Sequence, residues 1–321
     1  MKNLVVWAII LGSVGYGGSK YYLHHKVEEG VDAAVLMMSP YVTVEYDGIS
    51  STMTGELTVD GIRARVAGFS DEIVIDRLGI NTPSYFSLLE LGDIVNDPSM
   101  EDDAMPEYFG LIAEGMHIPV NSDYYKKLYA MRLDALGATD TDVAAVECVG
   151  KYGFSPEALT AMGYDEQIMS MSVTMRNGDA NYYLDISTDI ENMWSADINM
   201  AMAGDIVSEM SKGRTYRPKM RSIEAEFTDL SLNQRVEQYC GRRGLTTEQT
   251  LNAQLDAFEY FGESNGIVFD EYLLEPYQEF LRGKSTIVFT AQPGEPVNFS
   301  HIDLYKPSDV PALLNLSASV H

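Results

Sequence analysis

Strict alternation of apolar and polar residues constrains this chain more than any other feature. The segment QIMSMSVTMRNGDANYYLDISTDIENMWSADINMAM, from Gln167 to Met202, keeps a period of two almost throughout. Successive side chains of a strand point to opposite faces, so such a segment suits a sheet with one apolar and one polar face. Asn177-Gly178 supplies the turn dipeptide of a tight hairpin. Met169, Met171, Val173 and Met175 then share one face of their strand, and Ile198, Met200 and Met202 share one face of theirs. Methionine is flexible and polarizable, so a face rich in it is adaptable. Two readings stay open: an ordinary core with methionine as filler, or a groove for a flexible apolar ligand or partner.

The same period appears earlier. YVTVEYDG at 41–48, ISSTMTGELTVDGIRARV at 49–66 and EIVIDRLGI at 72–80 alternate, with Asp47-Gly48 and Asp60-Gly61 as turns, and SYFSLLEL at 84–91 closes the meander. Further strands are expected at 115–120, 220–229, 284–293 and 301–305. Between them the period changes to that of a helix. Helices are expected at 122–136, 140–148, 155–162, 230–240, 270–282 and 308–315. Another begins at the capping box Thr246-x-x-Gln249, carries Leu251, Leu255 and Phe258 on one stripe, and stops at Gly262. The class implied is α+β, with two antiparallel sheets near 41–91 and 167–229 covered by helices.

The N-terminus adds a different constraint. LVVWAIILGSVGYGG at 4–18 contains no charge; Lys2 precedes it, and Lys20, His24, His25 and Lys26 follow. Carried on to Leu23, a helix rising 1.5 Å per residue about spans a ~30 Å hydrocarbon core. An uncleaved transmembrane signal anchor is therefore expected over 1–23, ahead of a cleaved signal peptide or a buried core helix. A juxtamembrane helix with Val27, Val31, Ala34, Val35 and Met38 follows over 24–40, ended by Pro40. The expected organisation continues with a β meander at 41–121, a helical segment at 122–166, and a sheet with helices at 167–321. Cys148 and Cys240 are the only cysteines. In an exported domain one bridge between them is the natural reading, the alternative being two unrelated buried thiols.

Charge excludes one class of function. With 22 Lys+Arg against 48 Asp+Glu, the net charge is −26, and neutralising nucleic-acid phosphates needs a basic face. One segment runs against this background. Lys212, Arg214, Arg217, Lys219 and Arg221 cluster, and Arg235, Arg242 and Arg243 follow. They suit either a docking patch for anionic headgroups or an acidic partner, or internal compensation of the acid-rich 90–123 segment. No phosphate-binding loop, dinucleotide fingerprint, nucleophile elbow, HExxH or EF-hand pattern occurs. Two cysteines and five scattered histidines give no metal-ligand spacing. Acidic pairs such as Asp102-Asp103 and Asp140-x-Asp142 read as solvated loops, and His117 and His301 as structural strand-end residues. No catalytic residue, metal or cofactor is expected. The enzymatic alternative is a hydrolase in which His117 or His301 meets carboxylates.

The residues V-E-Y-D-G-I-S-S-T-M-T-G-E-L-T-V-D-G-I-R-A-R-V at 44–66, followed by I-V-I-D-R-L-G-I, come after the apolar run and its helix. This N-terminal quarter resembles the start of AsmA-like and DUF945 (YdgA-like) membrane-anchored periplasmic proteins of Gram-negative bacteria. The resemblance implies single-pass insertion in the bacterial inner membrane, a periplasmic C-terminal domain and curved antiparallel sheets. For the long AsmA-like members it also implies lipid carried along a β groove. The functional expectation is a non-enzymatic envelope protein that binds lipid or another apolar ligand on a concave sheet. Its alternative is an assembly module that docks an envelope protein through a sheet edge or the basic 212–243 patch.

Overall fold

A computed structural model describes residues 20–33, 35–89, 106–135, 147–178, 181–204, 219–298 and 304–321. Its strands are β1 (Val42–Glu45), β2 (Gly48–Ser51), β3 (Glu56–Val66), β4 (Ile73–Asn81), β5 (Tyr108–Pro119), β6 (Glu166–Asn177), β7 (Asn181–Ile190), β8 (Trp194–Ala203), β9 (Lys219–Asp229), β10 (Thr286–Ala291), β11 (Val297–Asn298) and β12 (Leu316–Val320). They form one sheet in the order β1-β3-β4-β5-β6-β7-β8-β9-β10-β12, with β2 on β3 and β11 on β9. The two sheets expected from the sequence are therefore one. The expected strand at 115–120 is the end of a 12-residue strand, β5, which pairs with both β4 and β6. Two compact units divide the chain, 1–113 and 114–321.

In the first unit a helix, α1, covers 20–38, with residue 34 outside the description. Leu23 is buried with Leu57, Tyr85 and Leu88, and Val27 packs against them. The Lys20 ammonium donates to Ser51 O at 3.1 Å, and His24 Nε2 lies 2.8 Å from Ser51 Oγ. The end of the expected anchor is thus docked on the sheet. Residues 1–19, which hold the rest of it, lie outside the described residues. Among the described residues no helix is long and apolar enough to cross a membrane. The transmembrane anchor over 1–23 and the single-pass inner-membrane placement built on it are not supported. The expected strand at 84–91 is also replaced, by a short helix α2 over 85–89. Ser84 Oγ accepts from Ser87 N at 3.3 Å, and this local bond diverts the backbone from the extended form.

The second unit carries α3 (Asp123–Ala135), a 3₁₀ turn at Glu147–Val149, α4 (Pro156–Ala161), α5 (Leu232–Arg242), α6 (Thr247–Ser264), α7 (Glu271–Leu281) and α8 (Val310–Leu314). Helix α6 starts as expected: Thr246 Oγ1 accepts from Gln249 N, and the Gln249 side chain accepts from Thr246 N. Of the predicted helix at 140–148, residues 140–146 lie outside the described residues and Cys148 falls in the 3₁₀ turn. Of the predicted strand at 301–305, residues 301–303 lie outside it and 304–305 are not extended. The final strand β12 was not anticipated.

Register explains the layering of this unit. Met171 pairs with Thr188, Thr188 with Ala196, Ala196 with Phe227, Phe227 with Ile287, and Ile287 with Val320. The neighbouring row runs Val173, Ile186, Ile198, Ala225, Phe289, Ala318. Both rows lie on one face. The opposite face carries Asp185, Asp189, Asp197, Glu224 and Glu226 among serines and threonines, of which Asp189, Asp197, Glu224 and Glu226 are exposed. Helices cover the apolar face at both ends. At one end Leu159, Met193, Val236 and Cys240 are buried together, with Trp194 and Leu232 against them. At the other, Tyr182, Met202, Met220 and Ala291 meet Val310 and Leu314 of α8. The expected bridge is present: Cys148 and Cys240 are joined, their Cα atoms 5.2 Å apart.

Candidate functional site

Between those two packed ends, the apolar face is not filled. A cavity of about 360 Å³ opens between β8–β10 and helices α5–α7. Its sheet side is Trp194, Phe227, Ile287 and Phe289; its helix side is Phe258, Phe261, Tyr277 and Phe280, with Leu232 at one end. The aromatic rings form a connected array. Phe258 stacks on Phe269 at 4.5 Å and on Tyr277 at 4.0 Å, and Phe227 meets Phe289 edge-on at 6.2 Å. Phe261 stands at the rim, 60% exposed. Burial pushes the Tyr277 phenol up to about 12, so it stays neutral at physiological pH. Cavities of this size, walled by hydrophobic side chains with few polar groups, suit small apolar ligands.

A second cavity, about 500 Å³, adjoins the first and shares Asp229 and Asn233 in its wall. Its lining is polar: Thr247, Thr250 and Gln254 of α6, Glu237 of α5, and Arg282 and Lys284 after α7. Helix α6 therefore changes chemistry along its length. Its N-terminal half faces the polar cavity and Phe258 and Phe261 face the aromatic one.

Asp229 ends β9 and caps α5, its Oδ1 accepting from Asn233 N at 3.0 Å. Burial raises its carboxyl above the ordinary range, opposed by the Asn233 and Leu232 N–H groups. For an acid whose folded pKa is raised, the stabilising contribution is complete below its unfolded value, ~3.9, and is lost as pH rises through the folded value. Asp229→Asn keeps a capping side chain and removes that titration. The variant is expected to lose less stability than the parent between pH 4 and neutrality. Urea midpoints across that range check this, and identical pH slopes would contradict it.

The residues singled out by sequence fall in several places. The methionine-lined strands do share one face: Met175 pairs with Leu184 and Leu184 with Met200, while Val173, Ile186 and Ile198 form the next row. Met175, Met200 and Met202 pack into the α8 cluster as core. Met171, Val173 and Ile198 are only partly covered, Met171 being 40% exposed, and share rows with Phe227 and Phe289 of the cavity wall. Met169 pairs with Ile190 near the other cluster.

The described basic residues of the 212–243 segment lie at the start of β9 and on or just after α5. Lys212, Arg214 and Arg217 lie outside the described residues. Lys219, opposite Ala203 and Asn298, and Arg221 are at the start of β9, whose far end leads into α5. Arg242 donates to Ala161 O at 2.8 Å, and Arg243 pairs with Glu147 at 2.9 Å and donates to Tyr239 Oη at 3.1 Å. Arg235 donates to Met162 O and Gly163 O and lies over the Tyr164 ring at 4.3 Å. Arg235 and Arg242 fasten α5 to the end of α4, where helix carbonyls lack partners of their own, and Arg243 ties it to the 3₁₀ turn through Glu147.

His117 on β5 lies 3.4 Å from Glu166, half-buried, and His301 is outside the described residues. Among the described residues no three His, Cys, Asp or Glu side chains converge as metal ligands.

The aromatic cavity leaves little trace in the sequence. Phe258 was visible only as a member of a helical stripe. The available clue was the crowding of Phe258, Phe261, Phe269, Tyr277, Phe280 and Phe289 into α6, α7, the link between them and β10.

Among curated proteins nothing matches the chain. A family model described as "Uncharacterized protein" matches residues 166–321, which contain β6–β12, α5–α8 and both cavities. That match is not to the AsmA-like or DUF945 proteins and lies outside the N-terminal quarter that resembled them, so the resemblance is set aside and the matched segment is the one holding the candidate site.

Proposed function

We propose that this chain is a non-enzymatic binding protein that holds an apolar or lipid-like ligand against the apolar face of its sheet. One observation carries the reading: the cavity between β8–β10 and α5–α7 is open and is walled by large aromatic rings on both its sheet side and its helix side. An under-packed core loses dispersion contacts on every wall that lacks a partner. A cavity lined on both sides by large rings is stabilised when a ligand supplies those partners. The half-covered Met171, Val173 and Ile198 extend the same surface toward β6. The docking alternative has less support, since Arg242 and Arg243 are already engaged within the chain.

The test uses diphenylhexatriene, an uncharged apolar fluorophore. Trp194 lies in the cavity wall and Trp7 is the second tryptophan of two, so Trp7→Phe leaves a single donor. Saturable energy transfer from Trp194 at one probe per chain is expected. Phe261→Asp places a charge at an exposed rim position, where the fold does not depend on it. It is expected to weaken the probe about tenfold, equivalent to ~1.4 kcal/mol. Absence of saturable transfer, or an unchanged affinity in Phe261→Asp, would show that the cavity is not a ligand site.

A further inference from the structure

The polar cavity beside the aromatic one contains buried groups that the fold leaves unused. Thr250 is 2% exposed, and its Oγ1 has no hydrogen-bond partner among the described residues. The same is true of Asn233 Nδ2, which lies in the shared wall. A buried polar atom without a partner costs about 1–3 kcal/mol, so two of them lining one cavity call for an explanation. One is an amide donor and the other a hydroxyl, which can donate or accept. Beside them Asp229 is an acceptor at the junction of the two cavities.

The surrounding charges narrow the chemistry. Asp229, Glu237 and Glu248 line the polar cavity together with Arg282 and Lys284. An anionic head placed here would face three carboxylates. A cationic head would face two cations and would leave the Asn233 donor unpartnered. An uncharged head with both acceptor and donor groups satisfies Asn233 and Thr250 without either penalty. The adjoining aromatic cavity is the complementary half. At ~30 Å³ for each water-sized group, its volume of about 360 Å³ has room for a chain of up to about twelve carbons.

We infer that the two cavities form one site for a single-chain amphiphile, with its hydrocarbon tail among Phe227, Phe258 and Phe289 and an uncharged hydroxyl- or amide-bearing head on Asn233 and Thr250. This rests on the aromatic cavity being a ligand site. It adds the class of ligand, and it makes Thr250 and Asn233 the residues that select it.

Four probes of equal tail length separate the two claims: monodecanoylglycerol, decanamide, decanoic acid and decylamine, each displacing diphenylhexatriene from the full chain. The glyceride and the amide are expected to bind at least tenfold tighter than the acid and the amine. Thr250→Val keeps the shape and removes the hydroxyl. It is expected to abolish the glyceride's advantage while leaving diphenylhexatriene affinity and the unfolding midpoint unchanged or improved, because a buried unsatisfied group has gone. Equal binding of all four probes, tighter binding of the acid or the amine, or an undiminished preference in Thr250→Val would overturn the head assignment and leave the aromatic cavity standing. Failure of diphenylhexatriene itself to bind would overturn both.

Discussion

Replacing Cys148 and Cys240 together with alanine is expected to lower the unfolding free energy by about 4–5 kcal/mol in the chain-entropy account of a loop this long. The two residues are 92 apart in sequence, and their bridge closes a loop that contains α4 and strands β6 to β9. Both sulfurs sit in the largest buried cluster, where Cys240 is fully covered and Cys148 nearly so. The bridge joins the 3₁₀ turn to α5, the helix that supplies Leu232 and Asn233 to the cavities. Urea titrations of the parent and the double variant, analysed at matched m-values, measure the loss directly. A change below about 1 kcal/mol would mean that the unfolded chain is no freer without the cross-link. Reductant should reproduce the variant's midpoint in the parent.

Leu159→Ala should cost about 2–5 kcal/mol, the range for removing a fully buried leucine whose neighbours cannot close the gap. Leu159 is fully covered on α4, packed in the cluster of Val120, Met162, Tyr164 and Val236. Its carbonyl also accepts from Met162 N and Tyr164 N, so the backbone around it is committed to the turn that launches β6. That restricts collapse into the space left behind. Leu159→Met, which conserves volume, should stay within about 1.5 kcal/mol. Thermal or urea unfolding of the pair distinguishes a packing defect from general intolerance. Equal losses in both variants would point to the latter.

Most of the strands and helices of the second unit were readable from periodicity, because each carries its pattern within its own length. Gln167–Met202 alternates and forms β6 to β8; the Thr246 capping box marks the start of α6. Errors arose where the deciding partner is remote or leaves no side-chain trace. The partners of Arg235 and Arg242 are carbonyls at the end of α4, and no residue type announces a carbonyl. Leu316–Val320 alternates as clearly as any strand, but five residues near the end of a chain are too few to separate from chance. The apolar run at the N-terminus suggested a membrane span, while the helix after it spends Leu23 and Val27 on the packing of Leu57 and Tyr85. The cavity was hidden for a further reason. Phe227, Phe258 and Phe289 come from different elements, and each is an unremarkable core residue within its own segment.

From β3 to β10 the order of strands across the sheet is their order along the chain. Each of these strands pairs with the one laid down just before it. A chain leaving the ribosome, at roughly 5–20 residues per second, can add them in that order, β6, β7 and β8 as tight hairpins and the others across longer links. Contacts between sequence neighbours form quickly because little loop entropy is lost in closing them. The cross-link cannot share that schedule: Cys148 must wait until four strands and most of α5 have followed it before Cys240 appears. The bridge thus closes after β6 to β9 have been made, while β10 and β12 join the edge of the sheet beyond β9 only after the second cysteine has appeared.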